Sequence, residues 1–290
     1  MARTATARAS KSDTVLEFDT DAILAREAEV ARETDAEILA RLAERFEILD
    51  EMTRAVKSGD VRAMIVSGPP GVGKSYGVET QLQKDDLFNT LSNKKPKFEI
   101  VKGAMSALGL YAKLYEYSEA GNVIVFDDCD SVLLDELSLN ILKGALDSSE
   151  RRYISWNTDS RLLRNEGIPD RFEFKGSAIF ITNIKFELVR SKKLREHLNA
   201  LESRCHYIDL QMDTQREKIL RIRQVVNDAG MLDRYEFADG VREEILQYIE
   251  QNKSQLRELS LRMVLKIADL RKSFAKSWQA MAKTTCMRRV

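Results

Sequence analysis

The sequence predicts an α/β protein, with a doubly wound domain over residues 60–210 and an all-helical region over residues 211–290. Three observations predict this class. Short apolar runs alternate with helical patterns between residues 63 and 210, which is typical of a parallel sheet covered by helices on both faces. A glycine-rich segment directly follows the first apolar run and leads into a helix. After Leu210 no strand pattern remains.

The first predicted element is a long amphipathic helix. Residues 1–20 are rich in Ala, Thr, Ser and charged side chains, and we expect a disordered tail there. From residue 21 to about Lys57, apolar side chains recur at steps of three and four. The turn-forming residues 58–60 end this pattern, so we expect a helical segment at 21–59.

Five apolar runs are the predicted strands of the sheet, and helical patterns fill the spaces between and after them. The strand runs are 63–66, 98–101, 122–126, 178–182 and 207–210. The helical patterns run from the glycine-rich loop to about Leu82, then around 108–114 and over 131–147, 191–202, 214–229, 241–249 and 260–281. The run at 122–126 is the continuous kind found in strands that are buried on both faces.

Composition indicates a soluble, globular chain. Of its 290 residues, 43% are hydrophobic and 32% are charged. No apolar run is long enough to span a membrane, and the first residues lack the apolar core of a signal peptide. Three widely spaced cysteines without C-x-x-C spacing fit a reducing compartment and predict no metal site. We therefore expect a cytoplasmic protein without membrane contact.

Charge is unevenly distributed along a chain whose net charge is zero. Residues 11–60 carry 14 acidic and 7 basic side chains, whereas residues 251–290 carry 10 basic and 2 acidic ones. A basic region can bind nucleic acid. A solvated helix face, or an acidic end that meets a basic end between subunits, also accounts for the asymmetry. We favour these last interpretations because no nucleic-acid-binding motif accompanies the charge.

The glycine-rich segment matches the phosphate-binding loop G-x-x-x-x-G-K-[ST] at every fixed position. Its backbone N–H groups and the following helix N-terminus favour phosphate, Lys74 reaches the β- and γ-phosphates, and Ser75 supplies an oxygen to Mg²⁺. The sequence therefore predicts binding of a nucleoside triphosphate with Mg²⁺. The predicted nucleotide-binding residues of this loop are Gly68, Pro69, Pro70, Gly71, Val72, Gly73, Lys74, Ser75 and Tyr76.

Two carboxylates follow the apolar run at 122–126, about 50 residues after the phosphate-binding loop. An acidic residue at the carboxyl end of a buried strand can hold Mg²⁺ beside the loop. Asp127 is the predicted metal ligand, and Asp128 is placed to orient or polarise the attacking water.

These motifs and the helical C-terminal region resemble those of AAA+ ATPases, over roughly residues 36–285. The resemblance implies ATP and Mg²⁺ as cofactors, ATP hydrolysis, and assembly into a ring, most often a hexamer. The second acidic position is usually Glu in that family, and Asp128 departs from it, which puts the rate of hydrolysis in doubt. The compact size is similar to that of bacteriophage-encoded members, which would act in the host cytoplasm.

Three further positions match the family's pattern. Asn183, after the strand run at 178–182, resembles the sensor-1 residue that bonds the γ-phosphate and the lytic water; a turn-forming Asn is the alternative. Arg204 lies where the family places the arginine finger that reaches a neighbouring subunit's nucleotide; Arg171 and Arg190 are other candidates for the finger, and a surface arginine at a helix end is the alternative interpretation of Arg204. Arg262, two residues after the predicted N-cap Ser260, resembles the sensor-2 arginine; a solvated arginine is the alternative.

Three roles are compatible with the sequence: a nucleic-acid remodeller, a protein remodeller and an assembly switch. An arginine-bearing hairpin predicted over 153–174 and the basic C-terminus favour a nucleic-acid remodeller, and a hairpin that only covers the surface is the alternative. Met105, in the segment 102–106 where the family has its pore loop, favours a protein remodeller. Asp128 favours a slow, nucleotide-dependent assembly switch. The absence of an N-K-x-D-like guanine motif after Asn183 favours ATP over GTP.

Overall fold

A computed structural model describes residues 30–87, 91 and 94–288, and its centre is a parallel five-stranded sheet. The strands are β1 (Ala63–Ser67), β2 (Phe98–Lys102), β3 (Val123–Asp127), β6 (Ser177–Thr182) and β7 (His206–Asp209). Their order across the sheet is β2-β3-β6-β1-β7. The predicted α/β class is confirmed, and each of the five strand predictions agrees with an observed strand to within one residue at either end.

The helices lie on both faces of the sheet and fill the region after it. They are α1 (Asp35–Ser58), α2 (Lys74–Asp85), α3 (Ala107–Glu116), α4 (Asp130–Leu133), α5 (Glu136–Ala145), α6 (Arg161–Asn165), α7 (Lys192–Glu202), α8 (Gln215–Asp228), α9 (Val241–Gln251), α10 (Leu261–Ser273) and α11 (Trp278–Cys286). Within the described ranges, no helix is both long and apolar enough to cross a membrane.

Alternate side chains of the strands enter two separate hydrophobic clusters. Ile65, Ile124 and Phe180 pack on the face that also carries α3, α5 and α7. Met64 and Val125 pack on the opposite face, against α1 and α2. Burial on both faces explains why these strands read as continuous apolar runs in the sequence.

Helix α1 begins and ends on strong local signals. Thr34 and Glu37 form a reciprocal capping box at its start, and Gly59 adopts the left-handed conformation (φ 89°) at its end. The non-helical residues 31–34 interrupt the helical segment that was predicted over 21–59. Residues 21–29 and the predicted disordered tail at 1–20 lie outside the described residues.

Two long helices predicted from the sequence are each interrupted, which corrects those predictions. The segment 131–147 divides because Asp135 caps a new helix by accepting a bond from the Ser138 N–H. The segment 260–281 divides after Ser273, because Phe274 leaves helical geometry (φ −130°, ψ 57°). The new helix buries Trp278 edge-on against Tyr248, with the ring centroids 4.8 Å apart.

The predicted hairpin is present as a two-stranded antiparallel sheet, β4 (Tyr153–Ser155) with β5 (Arg171–Glu173). Tyr153 is partly exposed, and the guanidinium groups of Arg151 and Arg171 lie 5.2 and 4.5 Å from its ring centroid. Arg151 is also paired with Glu173. The hairpin therefore presents a basic and aromatic surface that is partly neutralised by its own acid.

The helices after residue 211 have a hydrophobic cluster of their own, which includes Ile249, Val264 and Trp278. Their first helix, α8, also packs along α1 through Leu220. Buried Glu217 of α8 forms an ion pair with Arg41 of α1, and its Oε1 lies 3.1 Å from Arg41 Nη2. Helix α1 thus packs against both the sheet and the C-terminal helices.

Candidate nucleotide-binding site

The carboxyl ends of the parallel strands converge on one edge of the sheet. In the strand register Lys102 lies beside Asp127, and Ser67 lies beside Thr182. Because β6 is inserted between β3 and β1, Asn183 emerges between the Asp127–Asp128 pair and the phosphate-binding loop. The topology therefore brings together five predicted site residues: Lys74, Ser75, Asp127, Asp128 and Asn183.

The phosphate-binding loop has a conformation that needs its glycines. Gly71 (φ 72°) and Gly73 (φ 107°) both have left-handed backbones, and Gly73 is the N-cap of α2. A Cβ on Gly71 would lie only 2.7 Å from the Cβ of Ser260. Val72 is 4% exposed and packs with Ile38 of α1, so it anchors the loop to that helix.

Lys74 is held at the centre of the site. Its Nζ donates to the Gly68 carbonyl at 2.5 Å, the Pro69 carbonyl at 3.0 Å and Asn183 Oδ1 at 2.7 Å. Burial lowers the pKa of Lys74 to about 8, although the carboxylates of Asp128 and Asp127 act in the opposite direction. A buried ammonium ion with only neutral direct partners is suited to an incoming anion.

This pKa predicts that nucleotide affinity falls as pH rises above about 8. Phosphate binding needs the charged ammonium, so above the pKa of the free protein each binding event must also take up a proton. We expect the dissociation constant for ATP to rise roughly tenfold per pH unit over the first unit or so above pH 8. Calorimetric titrations at several pH values measure this slope.

Lys74→Arg is the control for the pH slope, because a guanidinium stays charged over the whole range. We expect weaker binding at neutral pH, since the larger head group does not fit the same carbonyls, but a flat profile between pH 8 and 9. An equally steep profile in Lys74→Arg would assign the slope to another group.

Ser75 and Asp127 provide a pair of hard oxygen donors. Ser75 Oγ donates to Asp127 Oδ1 at 2.7 Å, and the Asp127 side chain is largely buried. A hydroxyl and a carboxylate oxygen suit Mg²⁺, which keeps several waters and takes other ligands from phosphates. Among the described residues, no cluster of three or more His, Cys, Asp or Glu side chains could hold a metal alone. The donor set fits a Mg²⁺ that arrives with a nucleotide.

Lys102 is a site neighbour that sequence reasoning placed only in a predicted pore loop. Its Nζ lies 3.3 Å from Asp127 Oδ2, the carboxylate oxygen that Ser75 does not use. A divalent cation bound by Asp127 must therefore compete with this ammonium. The Lys102 side chain is 60% exposed, so solvent weakens the competition.

Lys102→Met is therefore expected to tighten divalent-metal binding by about threefold. Titration of Mn²⁺ into protein saturated with ADP, followed by electron paramagnetic resonance, measures this directly. Lys95→Met is the matched control, because Lys95 is similarly exposed but pairs with Glu116. Weaker metal binding in Lys102→Met would show that Lys102 supports the metal site instead of opposing it.

Asp128 and Asn183 form a hydrogen-bonded pair. Asn183 Nδ2 donates to Asp128 Oδ1 at 2.9 Å, while the side-chain oxygen Oδ1 of Asn183 accepts a hydrogen bond from Lys74 Nζ. Asp128 has a left-handed backbone (φ 52°), a conformation that Asp and Asn tolerate better than most residues. This backbone gives a physical reason for the shorter acid at a position where the resembling family has Glu.

The C-terminal helices contact the phosphate-binding loop directly. The Leu261 N–H donates to the Gly71 carbonyl at 2.8 Å, and Ser260 is the N-cap of α10, as predicted. Arg262 is exposed in the first turn and lines the same cleft as Lys74, whose pKa its charge helps to lower. The structure therefore brings Arg262 to the site.

Arg204 does not approach the site in its own chain. It lies between α7 and β7, and its Nη1 donates to the Ala200 carbonyl at 2.6 Å. Its Nη2 lies 4.0 Å from Asp147, and its Nε is buried without a hydrogen-bond partner in the described part of the chain. Arg204 precedes β7 and so lies at the amino end of that strand, away from the phosphate-binding loop.

A cleft of about 640 Å³ extends from the phosphate-binding loop between α1, α8 and α10. Tyr76 is 73% exposed at its rim. Several residues that line the cleft were not predicted, because most of them lie on helices with ordinary amphipathic patterns and Met231 lies in the turn after α8: Asp50, Arg221, Val225, Met231, Arg234 and Leu265. Phe46 of α1 also lines it.

Comparison with known proteins identifies a phage relative. No family model matches the chain. An uncharacterized 36.7 kDa protein in the nrdC-mobD intergenic region of Enterobacteria phage T4 is 34% identical over 256 residues, which cover 88% of this chain and 77% of the phage protein.

Solved structures with partial similarity include three nucleotide- or substrate-bound proteins. Replication initiator DnaA bound to AMPPCP and single-stranded DNA is 12% identical, with a TM-score of 0.44 over 82% of this chain and 63% of that chain. The S. cerevisiae Hsp104:casein complex is 15% identical, with a TM-score of 0.46 over 82% and 40%. NtrX from Brucella abortus with ADP is 10% identical, with a TM-score of 0.47 over 92% and 55%. The chain thus spans less than two thirds of the length of each of these proteins.

Proposed function

The chain belongs to the family of the 36.7 kDa phage T4 protein, and we propose that it binds ATP with Mg²⁺ and hydrolyses it to ADP and phosphate. The observation that supports this most is the continuous chain of contacts from Lys74 through Asn183 to Asp128, beside the Ser75–Asp127 pair. It joins a phosphate-binding cation, a metal-binding pair and a carboxylate within one edge of the sheet.

Each residue has a distinct role in this proposal. Lys74 and the backbone N–H groups of residues 71–75 bind the β- and γ-phosphates. Ser75 and Asp127 hold Mg²⁺, which neutralises charge on the phosphates. Asp128 orients the attacking water and accepts its proton. Asn183 holds the Asp128 carboxylate in place and is linked to the γ-phosphate through its hydrogen bond with Lys74.

Assembly into a homo-oligomeric ring, with a hexamer as the expected form, belongs to the same proposal. We divide the chain into an ATPase core at 60–210 and a helical lid at 211–290. Arg204 lies away from its own site, and its side chain is 29% exposed, which supports a role towards a neighbouring subunit. Mass measurement with and without a non-hydrolysable ATP analogue tests this; a monomer under both conditions would remove Arg204 from the mechanism.

For the coupled activity we propose remodelling of DNA or of a protein–DNA assembly. The β4–β5 hairpin supports this, because Tyr153 and its flanking Arg151 and Arg171 offer a stacking surface with positive charge. ATPase assays with and without single-stranded DNA at low salt are the test. We expect stimulation that Tyr153→Ala reduces, and no DNA binding or stimulation would remove nucleic acid as the substrate.

A protein remodeller is the second candidate, and one contact favours it. Both the N–H and the carbonyl of Met105 bond to the Ser131 hydroxyl, at 3.0 and 3.3 Å. Ser131 lies in α4, which begins three residues after Asp127, so this loop is connected to the metal-binding edge. ATP turnover that responds to an unfolded protein but not to DNA, and that loses the response in Met105→Asp, would favour this candidate.

A further inference from the structure

Arg221 of α8 is a cation of the cleft that the proposed mechanism does not use. Its guanidinium carbon lies 3.5 Å from the centroid of the Phe46 ring, and its Nη1 donates to Gln224 at 2.8 Å. Its Nη2 lies 3.9 Å from the place that a Cβ on Gly73 would occupy. Arg221 therefore lies against the phosphate-binding loop, on an aromatic face.

Nε and Nη2 of this guanidinium have no hydrogen-bond partner among the described residues. The Nε is buried and has no hydrogen-bond partner within the described ranges, and no described carboxylate lies within 4.0 Å of the group. Burial lowers the pKa of Arg221 to about 10. Nη2 makes no hydrogen bond within the described ranges, so its N–H groups can donate to a ligand in the cleft.

Asp50 of α1 lines the same part of the cleft. Burial raises its pKa, and this effect exceeds the opposing attraction of Lys84, Arg54 and Arg221. Lys74 experiences a different set of charges, namely Asp128, Asp127, Arg262 and Asp130. The cleft therefore has two electrostatic groups, one at the phosphate end and one around Asp50 and Arg221.

We propose that Phe46, Asp50 and Arg221 form the nucleoside end of the site and select adenine, an inference that rests on the proposed ATP binding. Adenine carries a ring-nitrogen acceptor directly beside its amino group. Arg221 donates to the ring nitrogen, and the Asp50 carboxylate accepts from the amino group. On the same edge guanine has a carbonyl oxygen in place of the amino group, and that oxygen would face the carboxylate.

Arg221→Met and Arg223→Met form a matched pair of variants for the test. Both residues lie on α8, but Arg223 is paired with Glu243 and Glu250 and does not line this cleft. Calorimetry with ATP, GTP and inorganic tripolyphosphate separates the nucleoside from the phosphates. We expect wild type to prefer ATP over GTP by at least tenfold, and Arg221→Met to lose about tenfold in ATP affinity while keeping its tripolyphosphate affinity. Arg223→Met should match wild type.

Asp50→Asn is the second test, because an amide can donate to the guanine carbonyl where a carboxylate repels it. We expect it to reduce the preference for ATP over GTP. Equal losses of ATP and tripolyphosphate in Arg221→Met, an unchanged ATP affinity there, or a wild-type preference for GTP would each overturn the adenine subsite. If wild type binds neither ATP nor tripolyphosphate, the proposed function itself fails.

Discussion

Lys74→Met is expected to weaken ATP binding by on the order of 100-fold. The variant keeps most of the apolar stem but removes the ammonium that would bond two phosphate groups. It also leaves the Gly68 and Pro69 carbonyls and Asn183 Oδ1 without their donor. Isothermal titration with ATP and Mg²⁺ measures the change.

Gln83→Met is the control for this variant. Gln83 is exposed on the same helix, α2, and its side chain bonds Glu79 and does not line the cleft. We expect wild-type affinity in the control, and equal losses in both variants would indicate general damage to α2. Wild-type ATP affinity in Lys74→Met would contradict the assignment of the loop.

Asp128→Asn is expected to lower ATP turnover by about 100-fold or more, with ATP affinity changed less than threefold. Asparagine matches the size of aspartate, tolerates the left-handed backbone at φ 52° and can still bond Asn183. It cannot accept a proton from water. Steady-state turnover and direct binding, measured on the same preparation, separate the two effects.

Asp130→Asn provides the matched comparison two residues away. Asp130 Oδ1 accepts a bond from Thr182, and burial raises the pKa of Asp130, so its role is to hold β6 against α4. We expect turnover within a few-fold of wild type in this variant. Wild-type turnover in Asp128→Asn would assign activation of the water to another group.

The parts of the fold that depend on local signals could be predicted from the sequence. The strand runs are apolar because they are buried on both faces, and the capping box at Thr34 and Glu37 needs only neighbouring residues. The breaks before Asp135 and after Ser273 could not be predicted from periodicity. The second depends on where Trp278 packs against Tyr248, a contact between helices distant in sequence.

Some residues of the candidate site could likewise be predicted from the sequence, and others could not. Lys74, Ser75, Asp127, Asp128 and Asn183 were predictable, because parallel strands place their carboxyl ends together. Asp50 and Arg221 could not be predicted, because they line the same cleft only when α1 and α8 pack side by side. The assigned roles of Arg204 and Arg262 stay predictions, and the mass measurement with and without an ATP analogue tests the role of Arg204.

The most direct test of ATP hydrolysis is a single-turnover reaction of the wild-type protein. Labelled ATP is mixed with excess protein and Mg²⁺ near pH 7.5, where Lys74 is mostly charged, and the products are separated over time. The proposed mechanism predicts complete conversion of the bound ATP to ADP and phosphate, dependent on Mg²⁺ and slowed about 100-fold or more in Asp128→Asn. Two results would contradict the mechanism. One is bound ATP that stays intact in the wild-type protein, and the other is ATP hydrolysis at the same rate in the wild-type protein and in Asp128→Asn.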